Sequence, residues 1–217
     1  MTDFLDRLTP WQREVLSAFF EREQGFYLTG GAALVGYHIG HRETLDLDLF
    51  TTDAEAFERG RYVLTDLAAA LGAELSIRQD APGFRRVVLT RDGEGLVVDL
   101  VIERVPQATP TKLVIDGVRV DPVFEILANK LCAVVGRAEE RDIVDLWALE
   151  QSGLRVEDAL DAALQKDGGC TPATLAWLLS QVEIRQDAKL PGGVSPRILA
   201  DFVSDLVDRL RKLAHPG

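Results

Sequence analysis

The chain has 217 residues, of which 47% are hydrophobic and 27% are charged, and its formal net charge is -11. This balance is typical of a globular protein and excludes a largely disordered chain. The acidic excess also excludes a protein whose main role is to coat a nucleic acid backbone, because such proteins are basic. Any contact with nucleic acid would therefore need a local basic patch.

A signal peptide, a membrane-spanning segment and a disulfide pattern are the sequence features that indicate where a protein is located. The N-terminal segment MTDFLDRLTPWQ lacks the basic-then-apolar pattern of a signal peptide. No apolar run approaches the roughly 20 residues that span a bilayer. Cys132 and Cys170 lack metal-ligand spacing, and nothing in the sequence implies a disulfide framework. We therefore expect a cytoplasmic protein without membrane contact.

The first 120 residues mix helices with strands. Thr9-Pro10 followed by Gln12 predicts a helix start with a capping box. The next predicted elements are a strand at 26–29, a helix at 32–37, a strand at 45–50, a helix at 54–71 and strands at 74–77, 85–90 and 96–103. The RDGEG turn at 91–95 joins the last two strands as a hairpin. Asp116-Gly117 predicts the two-residue turn of a further hairpin.

Only helices are predicted after the second hairpin. Thr171-Pro172 and Ser195-Pro196 each combine an N-cap residue with a proline at the first helical position. The predicted helices cover 122–136, 139–150, 156–166, 172–183 and 195–213. We therefore predict an α+β (mixed α/β) protein with a core at 1–120 and a helical region at 121–217. A site between the two would lie in a natural cleft.

Two aspartates on one short strand are the most informative feature of the chain. Side chains alternate along a strand, so Asp46 and Asp48 in LDLDLF lie on the same face. Two neighbouring carboxylates repel each other, and a divalent metal relieves that repulsion. The alternative is a solvent-facing strand edge. Asp99 in LVVDLVIE supports the metal site, because a carboxylate within an apolar strand needs a charged or metallic partner.

These acids predict a site for one or two Mg²⁺ ions bound to a nucleoside triphosphate. Two metals about 4 Å apart can activate an attacking oxygen and stabilise the leaving pyrophosphate. Asp46 and Asp48 would ligate the metal, and Asp99 would be a third ligand or the general base. The sequence pattern leaves both roles of Asp99 open.

A glycine pair precedes the aspartates. Gly30 and Gly31 would let backbone N–H groups at a helix start approach phosphates. The alternative is an ordinary tight turn from strand to helix. We expect Arg42 to pair with a phosphate or to orient an acid, and Thr44 to hydrogen-bond within its turn. His38 and His41 are interpreted as structural or exposed residues.

A second dense segment, FEILANKLCAVVGRAEERDIVDLWAL, carries paired cations and acids. Lys130 and Arg137 are seven residues apart and share the border of an apolar helix face, where a long cation can reach into a cleft. Lys130 would then neutralise triphosphate charge. The alternative is two ordinary surface cations.

The acids of this segment, Asp142 and Asp145, lie on the core-facing side of the next helix. One account is an Arg141–Asp145 ion pair together with favourable placement near the helix N-terminus. The other has Asp142 or Asp145 holding Lys130 or Arg137 in place, or touching the nucleotide. A separate basic run at 78–91, with four arginines, predicts either a local RNA patch or a solvated strand and loop.

The ordered motifs carry a resemblance to a known family. YLTGGAALVGY, HRETLDLDLF and ANKLCAVVGRAEERDIVDL occur in this order over residues 26–150, with the IDGVRV hairpin just before the last. In these segments the chain resembles the AbiEii/AbiGii-type toxin family of nucleotidyltransferases, within the DNA polymerase β-like superfamily. The MenT toxins look like a related branch of this family. The resemblance implies a polymerase β-like core with a mixed sheet and nucleotide transfer from a nucleoside triphosphate with magnesium.

The resemblance also assigns roles residue by residue. Gly30 and Gly31 match the family's phosphate loop, and Asp46 and Asp48 match its metal-binding pair. Lys130 matches the family's lysine.

The resemblance also covers an acidic residue after the lysine, and the chain differs from many relatives at two other positions. Asp142 or Asp145 matches the family's acidic residue after the lysine. Ala32 stands where many relatives have threonine, and Thr44 stands where serine is usual. Neither change removes a metal ligand.

The combined hypothesis is a metal-dependent nucleotidyltransferase that moves a nucleotide to an RNA end, as a toxin with an antitoxin partner. The alternatives are a small-molecule or protein hydroxyl acceptor, or a catalytically silent nucleotide-binding module. The candidate catalytic residues are Asp46, Asp48, Asp99 and Lys130. The candidate nucleotide-binding residues are Gly30, Gly31, Arg42, Thr44, Lys130, Arg137, Asp142 and Asp145.

Overall fold

The computed structural model describes residues 7–215, and the chain forms two compact units. Unit 1 contains the described residues up to Arg104 together with Thr111–Pro122. Unit 2 contains Val105–Pro110 and the described residues from Val123 onward. Residues 1–6, which begin the segment considered for a targeting signal, lie outside the described part. The functional division at residue 120 stays a prediction.

A seven-stranded mixed sheet forms the centre of unit 1. Its strands lie in the order β3-β4-β5-β2-β1-β7-β6. The β2–β5 and β1–β7 pairs are parallel, and the other neighbours are antiparallel. The strands are β1 (Tyr27–Thr29), β2 (Asp46–Thr51), β3 (Glu74–Ala81), β4 (Phe84–Arg91), β5 (Glu94–Ile102), β6 (Leu113–Ile115) and β7 (Val118–Val120).

Three helices belong to the same unit. They are α1 (Pro10–Phe20), α2 (Gly30–Ala33), which continues as a π-helical turn at Leu34–His38, and α3 (Ala54–Ala70). The predicted capping box is present at the start of α1, where the Thr9 side chain accepts from the Gln12 backbone N–H and the Gln12 side chain accepts from the Thr9 N–H. Apolar side chains of these helices and of the strands form the core, including Phe19, Phe26, Leu49, Leu67, Val98 and Leu100.

Tight turns determine the pairing of the long strands. Asp92 and Gly93 both have positive φ, 53° and 83°, as a two-residue hairpin turn of the primed type requires. Arg91 therefore pairs with Glu94, and the register continues along β4 and β5. Strand β3 extends to residue 81 and not to the predicted 77, because Gly83, with φ of 78°, allows a second close hairpin turn into β4.

Unit 2 is helical, apart from the Val105–Pro110 segment. Its helices are α4 (Val123–Gly136), α5 (Glu140–Gln151), α6 (Leu160–Lys166), α7 (Pro172–Ser180) and α8 (Pro196–Ala214). Short 3₁₀ turns lie at Val156–Ala159 and Pro191–Gly193. The fully buried core includes Leu131, Val134, Leu146, Leu149, Leu175 and Leu206. Across residues 7–215, no helix is both long enough and apolar enough to cross a membrane.

The predicted fold class is confirmed: a mixed α/β unit with a mixed sheet precedes a helical C-terminal half. Most helix boundaries fall within one or two residues of their predicted positions. The largest difference among them is the predicted helix at 156–166, whose first turn is a 3₁₀ turn.

Candidate active site

Strand β2 presents the two predicted aspartates on one face of the sheet. Asp46 and Asp48 are half-buried and alternate with the fully buried Leu47 and Leu49. In the parallel register of β2 and β5, Asp48 lies opposite Asp99. Cross-strand partners point to the same side of a sheet. The three carboxylates predicted from the sequence therefore lie on one face of adjacent strands.

Asp99 has an arginine partner on the next strand. Arg86, opposite Asp99 in the β4–β5 register, donates from Nε to Oδ1 at 2.8 Å and from Nη2 to Oδ2 at 2.6 Å. Asp99 is only 4% exposed, so this bidentate pair supplies the charge partner that its burial requires. The hydrogen bond to Asp99 raises the pKa of Arg86, and the charges of Asp46 and Asp48 act in the same direction.

The glycine pair leaves room for the polar groups of the site. Gly30 has a φ of 63°, and a Cβ there would lie 2.1 Å from Oδ2 of Asp48. A Cβ on Gly31 would lie 2.9 Å from Oγ1 of Thr44 and 3.0 Å from Nη2 of Arg42. The glycine turn thus packs directly against the side chains that the sequence places in the same site. Any larger residue would have to displace them.

The segment before β2 orients the first aspartate. The Thr44 hydroxyl donates to Oδ1 of Asp46 at 3.1 Å. The side-chain amide of Gln12 donates to the Thr44 carbonyl at 2.9 Å and so ties this segment to α1. Arg42 is 6% exposed and donates to the Glu43 carbonyl at 2.8 Å. The expected hydrogen bond of Thr44 is therefore present, and it holds an acid of the site.

The donor set of this face suits magnesium bound together with phosphates. Mg²⁺ commonly takes one or two protein carboxylates and completes its octahedron with phosphate oxygens and water. Asp46 and Asp48 provide two such carboxylates on one strand, beside the glycine turn. Within residues 7–215, no group of three or more His, Cys, Asp or Glu side chains is arranged to hold a metal ion. The role of Asp99 as a third ligand stays a prediction, and its carboxylate is engaged by Arg86.

Unit 2 gathers the other four candidate residues into one cluster, in which Lys130 and both acids are buried and Arg137 is exposed. The ammonium of Lys130 lies 3.0 Å from Oδ1 of Asp142 and 2.6 Å from Oδ2 of Asp145. Arg137 donates to both oxygens of Asp142, at 2.8 Å and 3.0 Å. Both aspartates are completely buried, and Lys130 is 6% exposed. The interpretation in which these acids hold Lys130 and Arg137 in place therefore matches the geometry.

The cluster controls the ionisation of its central acid. Burial by itself would raise the pKa of Asp142, but the hydrogen bonds from Arg137 and the charge and hydrogen bond of Lys130 outweigh it, so the pKa is lowered. Asp142 is consequently ionised at neutral pH, and two cations and two anions balance within the cluster. Arg141, which the alternative account paired with Asp145, lies 2.7 Å from Glu139.

The candidate residues thus fall into two groups, each brought together within one unit. Unit 1 assembles Gly30, Gly31, Arg42, Thr44, Asp46, Asp48 and Asp99. Unit 2 assembles Lys130, Arg137, Asp142 and Asp145. His38, interpreted as structural, has its Nε2 2.7 Å from the carbonyl of Asp121, and burial lowers its pKa.

The basic run at 78–91 is divided between surfaces. Adjacent residues of a strand point to opposite faces, so Arg85 and Arg86 do not share one. Arg85 lies 3.9 Å from Asp80, while Arg86 binds Asp99. Arg91 pairs with Glu14 at 2.6 Å, and its guanidinium carbon lies 3.9 Å from the centre of the Trp11 ring. These three arginines therefore do not form the single RNA patch considered from the sequence.

The bond between Arg86 and Asp99 is the part of the site that the sequence prediction lacks. A two-residue loop at Asp92-Gly93 fixes the hairpin register, and that register puts Arg86 opposite Asp99. The signal is therefore present in the sequence, but it emerges only when the register of the predicted hairpin is extended along both strands.

Comparison with known proteins agrees with this geometry. The model of the family described as "Nucleotidyl transferase AbiEii toxin, Type IV TA system" matches residues 14–213. No relative was found among curated proteins.

Solved structures add a likeness of fold. The Helicobacter pylori protein JHP933 is 22% identical with a TM-score of 0.55, and the match covers 94% of this chain and 92% of that one. Another H. pylori protein, assigned to the nucleotidyltransferases, is 20% identical with a TM-score of 0.55 and 94% coverage of both chains. Because the family model spans almost the whole chain, the protein belongs to the AbiEii family of nucleotidyltransferase toxins.

Proposed function

We propose that this nucleotidyltransferase uses Mg²⁺ to transfer a nucleotide from a nucleoside triphosphate to an RNA end, as the toxin of a toxin–antitoxin or phage-defence system. The observation that carries the proposal is the contact between the glycine turn and the β2 acids. Gly30 lies against the carboxylate of Asp48, on the same face as Asp46 and Asp99. This contact supports a site in which a phosphate-binding backbone would lie beside a metal-binding pair.

The proposed chemistry assigns one task to each group of unit 1. Asp46 and Asp48 would hold the metal, which when bound supplies charge stabilisation to the phosphates. Backbone N–H groups of the glycine turn would hold the β- and γ-phosphates. Thr44 fixes the Asp46 carboxylate. Arg42, packed against Gly31, would orient an acid or contact a phosphate.

The bond changes follow from this placement. The acceptor hydroxyl oxygen forms a bond to the α-phosphorus, and the bond between that phosphorus and the α,β-bridging oxygen breaks. Pyrophosphate leaves, and the hydroxyl proton passes to a base. Asp99 is the proposed base or third ligand, and its buried position on β5 next to Asp48 supports a role in this site.

For the residues of unit 2 we propose a role in nucleotide binding. The support is the match of this segment to the family's lysine and late acid, which the family model covers. The ion pairs favour different roles for the acids and the cations, in which Asp142 and Asp145 position Lys130 and Arg137. Lys130 and Arg137 would then be the residues that meet phosphate charge.

The alternative acceptors keep the same chemistry. A small molecule or a protein hydroxyl fits the acidic net charge of -11 better than a polyanion does. A catalytically silent binding module is less well supported. A module without a metal would not require the glycine turn to contact Asp48 or the Thr44 hydroxyl to orient Asp46. A toxin role further implies an antitoxin partner and a cytoplasmic site of action.

One labelling experiment separates these possibilities. Purified protein is incubated with Mg²⁺, each labelled nucleoside triphosphate in turn, and total RNA. We expect label on RNA, abolished by addition of EDTA and in the variant Asp46→Asn. Label on protein would support the alternative acceptor, and label on neither substrate would contradict the proposal.

A further inference from the structure

The Arg86 cation, which forms an ion pair with Asp99, is the strongest feature of the acid face that the proposed chemistry does not use. Asp99 accepts from Nε and Nη2 of Arg86 with both of its oxygens. The acid is nearly buried, but 45% of the Arg86 side chain is accessible. A guanidinium has five N–H donors, so donors remain for a second partner. The pair therefore presents a fixed cation at the surface of the site.

Strand order determines which substrate this cation faces. The glycine turn follows β1 and lies on one side of Asp48, while Asp99 on β5 and Arg86 on β4 lie on the other side. In an in-line transfer the attacking and leaving oxygens lie on opposite sides of the α-phosphorus. If the leaving pyrophosphate lies over the glycine turn, the acceptor approaches over β5 and β4.

We propose that Arg86 binds a phosphate of the acceptor next to the reacting hydroxyl, and that its bidentate bond to Asp99 aims it, whichever of the two proposed roles Asp99 has in the transfer. The acceptor is then a phosphate-bearing strand and not a neutral small molecule. A guanidinium fits phosphate in a bidentate fashion, and holding it by Asp99 reduces the entropy lost on binding. The inference rests on the proposed nucleotidyl transfer to RNA and adds the residue that recognises the acceptor.

Salt dependence gives the most specific test. Removing one phosphate-binding cation from a complex with single-stranded RNA reduces the slope of log affinity against log salt by about 0.7. A synthetic RNA strand with a free 3′ hydroxyl is titrated by fluorescence anisotropy at several salt concentrations. For Arg86→Gln we expect about tenfold weaker binding and the smaller slope. For Arg86→Lys we expect the slope to be retained, because the charge remains.

A modified strand locates the contact. An RNA with an uncharged methylphosphonate at its last linkage should bind wild-type protein about as weakly as normal RNA binds Arg86→Gln. The two changes together should cost no more than either one. Asp99→Asn should also weaken RNA binding. Arg85→Gln is the matched control, because this neighbour on β4 points to the opposite face and should leave the slope unchanged.

Nucleotide binding supplies the second readout. Calorimetry with Mg²⁺ and a non-hydrolysable nucleoside triphosphate should show that Arg86→Gln binds the nucleotide with an affinity within twofold of wild type.

A wild-type salt slope in Arg86→Gln, or loss of nucleotide affinity with RNA affinity retained, would overturn the inference. Wild-type transfer only to a protein or a neutral small molecule would also overturn it, while nucleotidyl transfer itself would stand. Absence of any transfer would instead defeat the proposed function. Circular dichroism melts confirm that each variant is folded.

Discussion

Unit 1 places Asp46 and Asp48 half-buried on one sheet face beside a glycine turn, whereas unit 2 encloses Lys130 between two completely buried carboxylates. Both regions are rich in acids, and both lie within the residues that the family model matches. In unit 1 the two acids retain accessible surface, which fits the proposed metal site. In unit 2 the charges are already matched, with Lys130 and Arg137 against Asp142 and Asp145.

The charges of the unit 2 cluster are tied to the stability of the protein. Burying an ion is costly, and an ion pair repays that cost only when its geometry is good. Breaking such a pair is expensive, because the remaining partner is left buried and uncompensated. Substitutions in unit 2 should therefore lower stability in addition to weakening the proposed nucleotide binding, whereas those in unit 1 should act mainly on transfer.

The largest effect is expected from Asp48→Asn. Loss of one metal ligand removes several kcal/mol of transition-state stabilisation, so label transfer should fall by about 10³-fold or more. The melting temperature should change little, because Asp48 is half-buried and Asn preserves its size. Full transfer by this folded variant would refute the role of the β2 acids.

Lys130→Met tests the unit 2 side of the comparison. Removing the cation leaves Asp142 and Asp145 without their shared partner, so urea unfolding should show a loss of about 3–5 kcal/mol. Lys189→Met, at an exposed lysine, is the control and should be nearly neutral. Unchanged stability would show that the buried ion pairs of Lys130 do not stabilise the fold and would remove the contrast between the units.

Gly30→Ala and Gly93→Ala form a matched pair for the glycine turn. Both residues have positive φ, 63° and 83°, so each alanine should cost about 1–2 kcal/mol of stability. Only the Cβ at residue 30 meets Asp48, whereas nothing lies within 4 Å at residue 93. Transfer should therefore fall by about 10²-fold in Gly30→Ala alone. Equal activity of the two variants would contradict the contact between glycine turn and metal pair.

The pH dependence of unfolding should show the smallest effect. Asp142 has a lowered pKa in the folded chain, so it contributes stability above the ordinary value of 3.8 and loses it as pH falls through the lower folded pKa. The free energy of unfolding should therefore decline as the pH falls below the ordinary carboxyl value of 3.8. Asp142→Asn should be less stable at pH 7 and should show a shallower acid decline. An identical decline in both proteins would show that this acid is not responsible.

Local patterns were sufficient for most of the secondary structure. The capping box at Thr9 and the Asp116-Gly117 turn are encoded within a few residues, and the structure contains both. The alternation in LDLDLF likewise determines that Asp46 and Asp48 share a face. These features follow from backbone geometry and side-chain spacing, which do not depend on distant parts of the chain.

Partner choice over long sequence separations could not be predicted in the same way. Lys112 and Asp121 form a buried ion pair in unit 1, and Glu125 and Lys166 form another in unit 2, yet neither pair has a local signature. Burial of these charges depends on which elements pack together. The sequence shows each ionisable residue but not the partner that compensates it.

The order of elements, the glycine turn and the shared face of the β2 acids can be derived from the amino-acid sequence. The bond between Arg86 and Asp99 and the enclosure of Lys130 by Asp142 and Asp145 become apparent in the folded chain. The physical reason is that spacing along a helix or strand fixes direction, whereas the partner of a charge depends on sheet order, register and packing between elements.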